Sequence, residues 1–280
     1  MAAAGVGYMF SNITGMCLIA GSAGGAQPLI SQAFGARSYP RCGDLLQQQL
    51  AIHGMLGIAI AIIWWNTESI LLFFGQPARV ASLAGVFIRC RLLGLPSMFL
   101  RQDMIYFCIA QRVMVVPMFL SVSANMLNVL LFPLLIPVLG FAGAPLAMTL
   151  AQTVHALSLF VVAPWALPHQ EAWPRWSWRI AFDTAGWRQL LDLSLPSAVL
   201  MLSEWWGWEV NLFFAGLLCK SGAGACVELD VFPVASHTMV ILFFSHYGCS
   251  LAASTLVGNA LGEGDVATAK RVAKVILCLA

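Results

Sequence analysis

From Val113 to Gln170 the chain carries no aspartate, glutamate, lysine or arginine. Few folds tolerate such a stretch in water. A soluble domain carries about a quarter of its residues charged to cover its surface, whereas 9% of this chain is charged and 60% is hydrophobic. Its mean hydropathy is +0.84, so most of the exterior must face lipid. About 20 apolar residues carry a helix across the hydrocarbon core, and the cluster Gly140, Gly143 and Pro145 divides the stretch into two spans. Other apolar tracts run from Met1 to Ala36, from Leu45 to Trp65, from about Ala81 past Leu100 with Arg89 and Arg91 interrupting it, from about Leu193 to Cys219 with Glu204 and Glu209 inside it, and from Val231 to Gly262. A last apolar run follows Lys274. The expectation is seven spans and a stub.

Lysine and arginine in alternate loops set the orientation. Arg37, Arg41, Arg112, Arg175, Arg179, Arg188, Lys270, Arg271 and Lys274 fall in one set of loops, which is read as cytoplasmic. Arg79 and Lys220 fall in the other. Met1 is then extracytoplasmic, with no basic region of a signal peptide behind it. The chain reads as a piece of a longer transporter, expected not to transport by itself. A net charge of +2 with no Lys/Arg-rich block argues against nucleic acid as a partner.

Ile30-Ser31-Gln32-Ala33-Phe34-Gly35 and Val257-Gly258-Asn259-Ala260-Leu261-Gly262 match loosely at an offset of 227. Each closes a long neutral span and leads through a short cytoplasmic turn into another apolar run. Two copies in the same orientation, six span positions apart, define a six-helix repeat. The expected fold is therefore all-α: a polytopic transmembrane helical bundle made of one six-helix repeat lacking its first helix, plus the start of a second. Residues 1–164 form an N-terminal transmembrane bundle of five spans. Residues 165–192, with Trp173, Trp176, Trp178 and Trp187 among arginines, form a cytoplasmic connector in the headgroup layer. Residues 193–280 begin a C-terminal bundle of two spans and a truncated third.

Ionisable groups within a bilayer are functional candidates by default. Glu204 and Glu209 stand near mid-helix in the sixth span. A buried carboxylate can exchange a proton for a cation near working pH. Five residues turn one from the other by about 140°, so both cannot face one cavity squarely. Glu209, closer to the middle of the span, is expected to be the better proton-coupling residue. Trp205, Trp206 and Trp208 offer faces to organic ammonium groups. His237 and, deeper, His246 are proton-carrier candidates in the seventh span; His53 and His155 rank below them. Asn125 and Asn128, a turn apart, suit bonds between helices, and Asn128 is also a candidate for the substrate cavity. Arg89 and Arg91 interrupt the third span. They diverge by about 200°, cannot line one cavity, and are expected to snorkel to the extracytoplasmic boundary. The eight cysteines include no CxxC pair, and Cys219 with Cys226 could join in an oxidising exterior. No nucleotide fingerprint, metal-ligand run or hydrolase elbow is present. The reading is therefore of no enzyme and no cofactor, with an ion gradient as the drive.

At these residues the chain resembles the multidrug and toxin extrusion family of secondary antiporters, in its eukaryotic branch. The resemblance rests on Leu29-Ile30-Ser31-Gln32-Ala33-Phe34-Gly35, on Gln111 with Pro117, and on Ala124-Asn125-Met126-Leu127-Asn128. Most specific are Leu195-Pro196-Ser197, Met201 to Glu209, and Ala252 to Gly262. It implies that the chain corresponds to family helices two to eight and the start of nine. It also implies export of organic cations or toxins across a plasma or organelle membrane, with protons, or sodium, as counter-ion. The family's paired helix-seven glutamates fall on Glu204 and Glu209. The sequence departs from the pattern at His237, which replaces the glutamate of animal members. It departs again at Gln27, which replaces an acidic residue of many members and would line the substrate cavity with Asn128 and Trp205. Arg89 and Arg91 stand in a stretch that is apolar in the family. All three departures remove negative charge or add positive charge. Two rivals share the span count. A related lipid-linked-sugar flippase would have a basic cavity, against which the Glu204 to Glu209 motif speaks. A seven-helix receptor would not carry an internal repeat. A third alternative is a non-transporting truncated fragment.

Overall fold

Every expected span is a helix in the computed structural model, which describes residues 2–218 and 227–279. The first span combines α1 (Ala2–Ser11), one wide π turn (Asn12–Met16) and α2 (Cys17–Gly35). The second is α3 (Tyr39–Trp65), started by Pro40 in its first turn, where a missing N–H costs nothing. A short α4 (Thr67–Phe73) leads to the third span, α5 (Ala78–Leu92) and α6 (Leu95–Ala110), bent by 56° between them. Gly94 makes the bend possible: a methyl group there would meet Thr149 Cγ2 at 2.7 Å. The charge-free tract folds as α7 (Val115–Leu139) and α8 (Gly143–Ala166), which pack on one another. Gly140, at φ 59°, turns the chain back.

The connector holds a four-residue α9 (Trp178–Ala181) and docks on α3. Ser177 N donates to Gln47 Oε1 at 3.0 Å, and Trp173 packs edge-on against Phe107 and Phe160. The sixth span, α10 (Thr184–Leu218), starts earlier than the expected Leu193. Asp183 explains this, accepting the Gly186 N–H at 3.0 Å as a cap. Then come α11 (Val227–Gly262) and α12 (Val266–Leu279). Cys219 and Cys226 lie outside the described residues. Among those described, four helical stretches are long and apolar enough to cross a membrane, and the bent α5–α6 pair makes a fifth. The protein is a multi-pass membrane protein. Exposed Phe119, Val122, Val129 and Leu134 on α7 show the surface that lipid covers.

The repeat is visible atom by atom. After α2, the N–H groups of Ala36, Arg37 and Ser38 donate to the carbonyls of Gln32, Phe34 and Ala33. After α11, those of Glu263, Gly264 and Asp265 donate to Asn259, Leu261 and Ala260, each donor and acceptor displaced by 227. Arg37 and Gly264 both sit at positive φ, 57° and 79°. The two segments also pack reciprocally. A methyl group on Gly35 would overlap the Asn259 carbonyl, and one on Gly262 would overlap the Gln32 carbonyl.

Candidate substrate cavity and neighbouring polar pockets

Glycines bring α10 into backbone contact with α2. A methyl group on Gly21 would meet Ala198 Cα at 2.6 Å, and one on Gly25 would meet Leu193 O at 2.7 Å. Beside this seam, α2, α6, α10 and α11 enclose a cavity of about 360 Å³ whose polar lining includes Gln27, Tyr106, Glu204, His246 and Tyr247. A space of about 310 Å³ continues from it past Ala20, Met201, Phe243 and Tyr247, and adds Trp205 and Arg101. A further cavity of about 530 Å³ lies between α3 and the connector and is lined mostly by apolar side chains such as Met55, Ile58 and Phe182. It sits apart from the titratable groups.

Hydrogen bonds tie α2, α6 and α11 together beside the central cavity. Gln27 Nε2 donates to Thr255 Oγ1 at 2.8 Å and to Leu251 O at 3.2 Å, and Asn259 Nδ2 donates to Ala110 O at 3.3 Å. Lower still, Arg112 pairs with Glu263 at 3.3 Å on the surface. Tyr106 and Tyr247 join hydroxyl to hydroxyl at 2.5 Å across the cavity between α6 and α11.

Of the residues expected at the site, Glu204 and Gln27 line the central cavity and Trp205 its extension. Asn128 does not join them. It lines a separate pocket of about 180 Å³ among α6, α7 and α8, with Arg101, Ser121, Asn125, Gln152 and His155. The side chains of Glu209 and His237 lie outside the described residues. His246, ranked below His237 in sequence, faces the cavity with Glu204.

The arginine expectation needs correction. Arg89 is exposed and pairs with Glu68 at 3.2 Å, as an outer-boundary residue would. Arg91 does not snorkel. It is 1% exposed, its guanidinium bonded to Gln152 Oε1 at 3.3 Å and set against Met98 Sδ. The 56° bend at Gly94 turns Arg91 into the bundle, which straight-helix counting could not foresee.

Sequence reasoning missed a buried ion pair. His53 Nδ1 meets Asp103 Oδ2 at 2.8 Å, both side chains fully buried. Ser22 Oγ and the Gln49 amide meet the other ring nitrogen. Ser22 Oγ also donates to Ile19 O at 3.3 Å. The signal was present: Arg101 and Asp103 are ionisable groups inside an apolar run.

The MatE family profile matches residues 1–134. Mouse multidrug and toxin extrusion protein 1 is 31% identical over 271 residues, 95% of this chain and 46% of that protein. Protein DETOXIFICATION 16 of Arabidopsis thaliana is 30% identical over 282 residues, 100% of this chain and 57% of that protein. This chain belongs to the multidrug and toxin extrusion family. It spans about half the length of the curated relatives it matches. The multidrug and toxin extrusion fold is also found in two solved structures. The eukaryotic MATE transporter AtDTX14 superposes with a TM-score of 0.88 at 23% identity, covering 99% of this chain and 61% of its own. A MOP superfamily transporter from Pyrococcus furiosus, described as having a binding pocket of reverse polarity, superposes with 0.79 at 22% identity, covering 100% and 61%.

Proposed function

We propose that this chain supplies the substrate cavity and coupling residues of a proton-driven antiporter that exports organic cations or toxins. One observation carries the reading: a cavity among α2, α6, α10 and α11 is lined by a carboxylate, Glu204, with His246 and Gln27, and Gln27 ties α2 to α11 beside it. The relatives named for multidrug and toxin extrusion support the substrate class. Glu204 attracts a cation and Trp205, in the adjoining space, offers it an aromatic face. Protonation of Glu204 removes that attraction, so proton and cation compete for one group. Glu209 and His237 act as further coupling residues along the same two helices. Residues 1–164 and 193–280 form the two bodies that rock about the cavity, with residues 165–192 as their link.

The test is uptake of a labelled quaternary ammonium ion into proteoliposomes that hold the full-length parent transporter, under an imposed pH gradient, with sodium present or absent. Glu204→Gln and Glu209→Gln should each reduce pH-driven exchange at least tenfold, with Glu209→Gln the more severe. Normal pH dependence in both variants would end the reading, and drive by sodium alone would reassign the ion.

A further inference from the structure

A buried arginine, Arg91, and a partly buried one, Arg101, face no carboxylate among the described residues. Their ion pairs are His53–Asp103, Arg89–Glu68 and Arg112–Glu263, none of which includes Arg91 or Arg101. Asp103 lies on the same helix as Arg101 but is taken by His53. An unpaired guanidinium at membrane depth costs several kcal/mol, and this protein places two side by side. Arg101 lines the pocket of about 180 Å³ with Asn128 and His155, and Arg91 stands one hydrogen bond behind its wall through Gln152. Three polar atoms there are buried without partners among the described residues: Arg91 Nε, Arg101 Nε and Asn128 Oδ1. No acidic side chain lines the pocket.

We propose that this pocket binds a small oxyanion, a carboxylate above all, held by Arg101 with support from His155 and the amides of Asn125 and Gln152. The guanidinium presents paired donors that match the two oxygens of a carboxylate. Size narrows the ligand. A water molecule occupies about 30 Å³ of liquid, so the pocket holds the volume of about six waters, below the range of about 300–1,000 Å³ that takes drug-sized molecules. The ligand is a short organic acid or an acidic headgroup's oxyanion, distinct from the cation of the central cavity. Arg101 borders both spaces, the pocket and the extension of the cavity that holds Trp205. Occupancy of the pocket therefore sets how much positive charge the neighbouring cavity feels. The proposal does not depend on the antiport reading.

The experiment measures thermal unfolding of the purified protein in neutral detergent. Succinate, inorganic phosphate and short-chain phosphatidic acid are the probes, at constant ionic strength and with chloride as reference. Succinate should raise the midpoint by several degrees in a saturable way in the wild type, and also in Arg89→Gln, whose arginine is exposed and already paired. The rise should vanish in Arg101→Gln and shrink in Arg101→Lys, which keeps the charge and loses the fork. Stabilisation by phosphatidic acid alone would assign the oxyanion to lipid. Equal shifts in wild type and Arg101→Gln, or no saturable shift with any probe, would overturn the proposal. Should Arg101→Gln fail to fold, Arg101→Lys and Asn125→Leu carry the same comparison, and unchanged succinate affinity in both would overturn it equally.

Discussion

His53 and Asp103 stabilise each other only as a pair. Removing one partner of a buried ion pair leaves a charge in an apolar interior and costs about 3–5 kcal/mol, while replacing both by apolar groups can be nearly neutral. Asp103→Leu should therefore lower the thermal midpoint sharply and reduce the yield of folded protein. The double variant His53→Leu/Asp103→Leu should regain most of the loss. A double variant as unstable as the single would show that Ser22 and Gln49, not the charge pair, carry the stability. Arg37 offers the opposite case. It adopts the left-handed backbone at φ 57°, where the equivalent position of the second copy has Gly264. Glycine meets no Cβ conflict there, so Arg37→Gly should raise stability by about 1 kcal/mol, read as a higher unfolding midpoint. At this scale the sequence was legible where one residue decides, as with Glu204 or the glycines at 140 and 143. It was not legible for Arg91 or Tyr247, whose roles depend on partners more than 50 positions away in the chain.

Among elements, the two repeated helix ends were readable in sequence, though not as partners in contact. A loose match of six residues shows repetition; only the fold shows that Gly35 and Gly262 each lie on a carbonyl of the other copy. Because the obstructing atoms are backbone, they cannot rotate away. Gly262→Ala should force the α2–α11 seam apart at an overpacking cost of about 1–3 kcal/mol, and Gly35→Ala should do the same from the other side. Disulfide trapping between cysteines placed across the seam would report the separation, and unchanged trapping efficiency would count against it. The start of α12 responds to pH. Asp265 accepts bonds from the Thr268 amide at 2.9 Å and hydroxyl at 2.6 Å, and these hold its carboxyl below the usual aspartate range. A depressed value means that the cap's contribution is present above the ordinary aspartate range and is lost as pH falls through the lowered value. Protection of the amides at Ala267–Ala269, relative to their intrinsic exchange rates, should fall under acid conditions, and Asp265→Ala should show the low protection at neutral pH.

On the scale of the whole molecule, the places of the long apolar helices followed from the gaps between charges, because lipid penalises exceptions. The polar ties beside the cavity did not, since they depend on groups of three helices, α2, α6 and α11, meeting at one level. Two hydrogen bonds from Gln27 and one from Asn259 cross that level, each worth about 1 kcal/mol. Gln27→Ala with Thr255→Val should shift the equilibrium toward a cytoplasm-open form several-fold. The shift would be read as faster labelling of a cysteine at Ser254 by an impermeant reagent from that side, and unchanged labelling would place the closure elsewhere. The first span divides its loyalties: α1 packs on α5, while α2 lies along α10 and α11. Between them the π turn at Asn12–Met16 takes up one residue more than a regular helix needs. That extra residue is a phase adjustment, setting the outward third of the span on one set of neighbours and the inward part on another. Deleting Ile13 should rewind the turn into ordinary helix with both faces still correctly aimed. Deleting a residue in the middle of α2 should swing α1 about 100° off α5, and only the second variant should lose the fold.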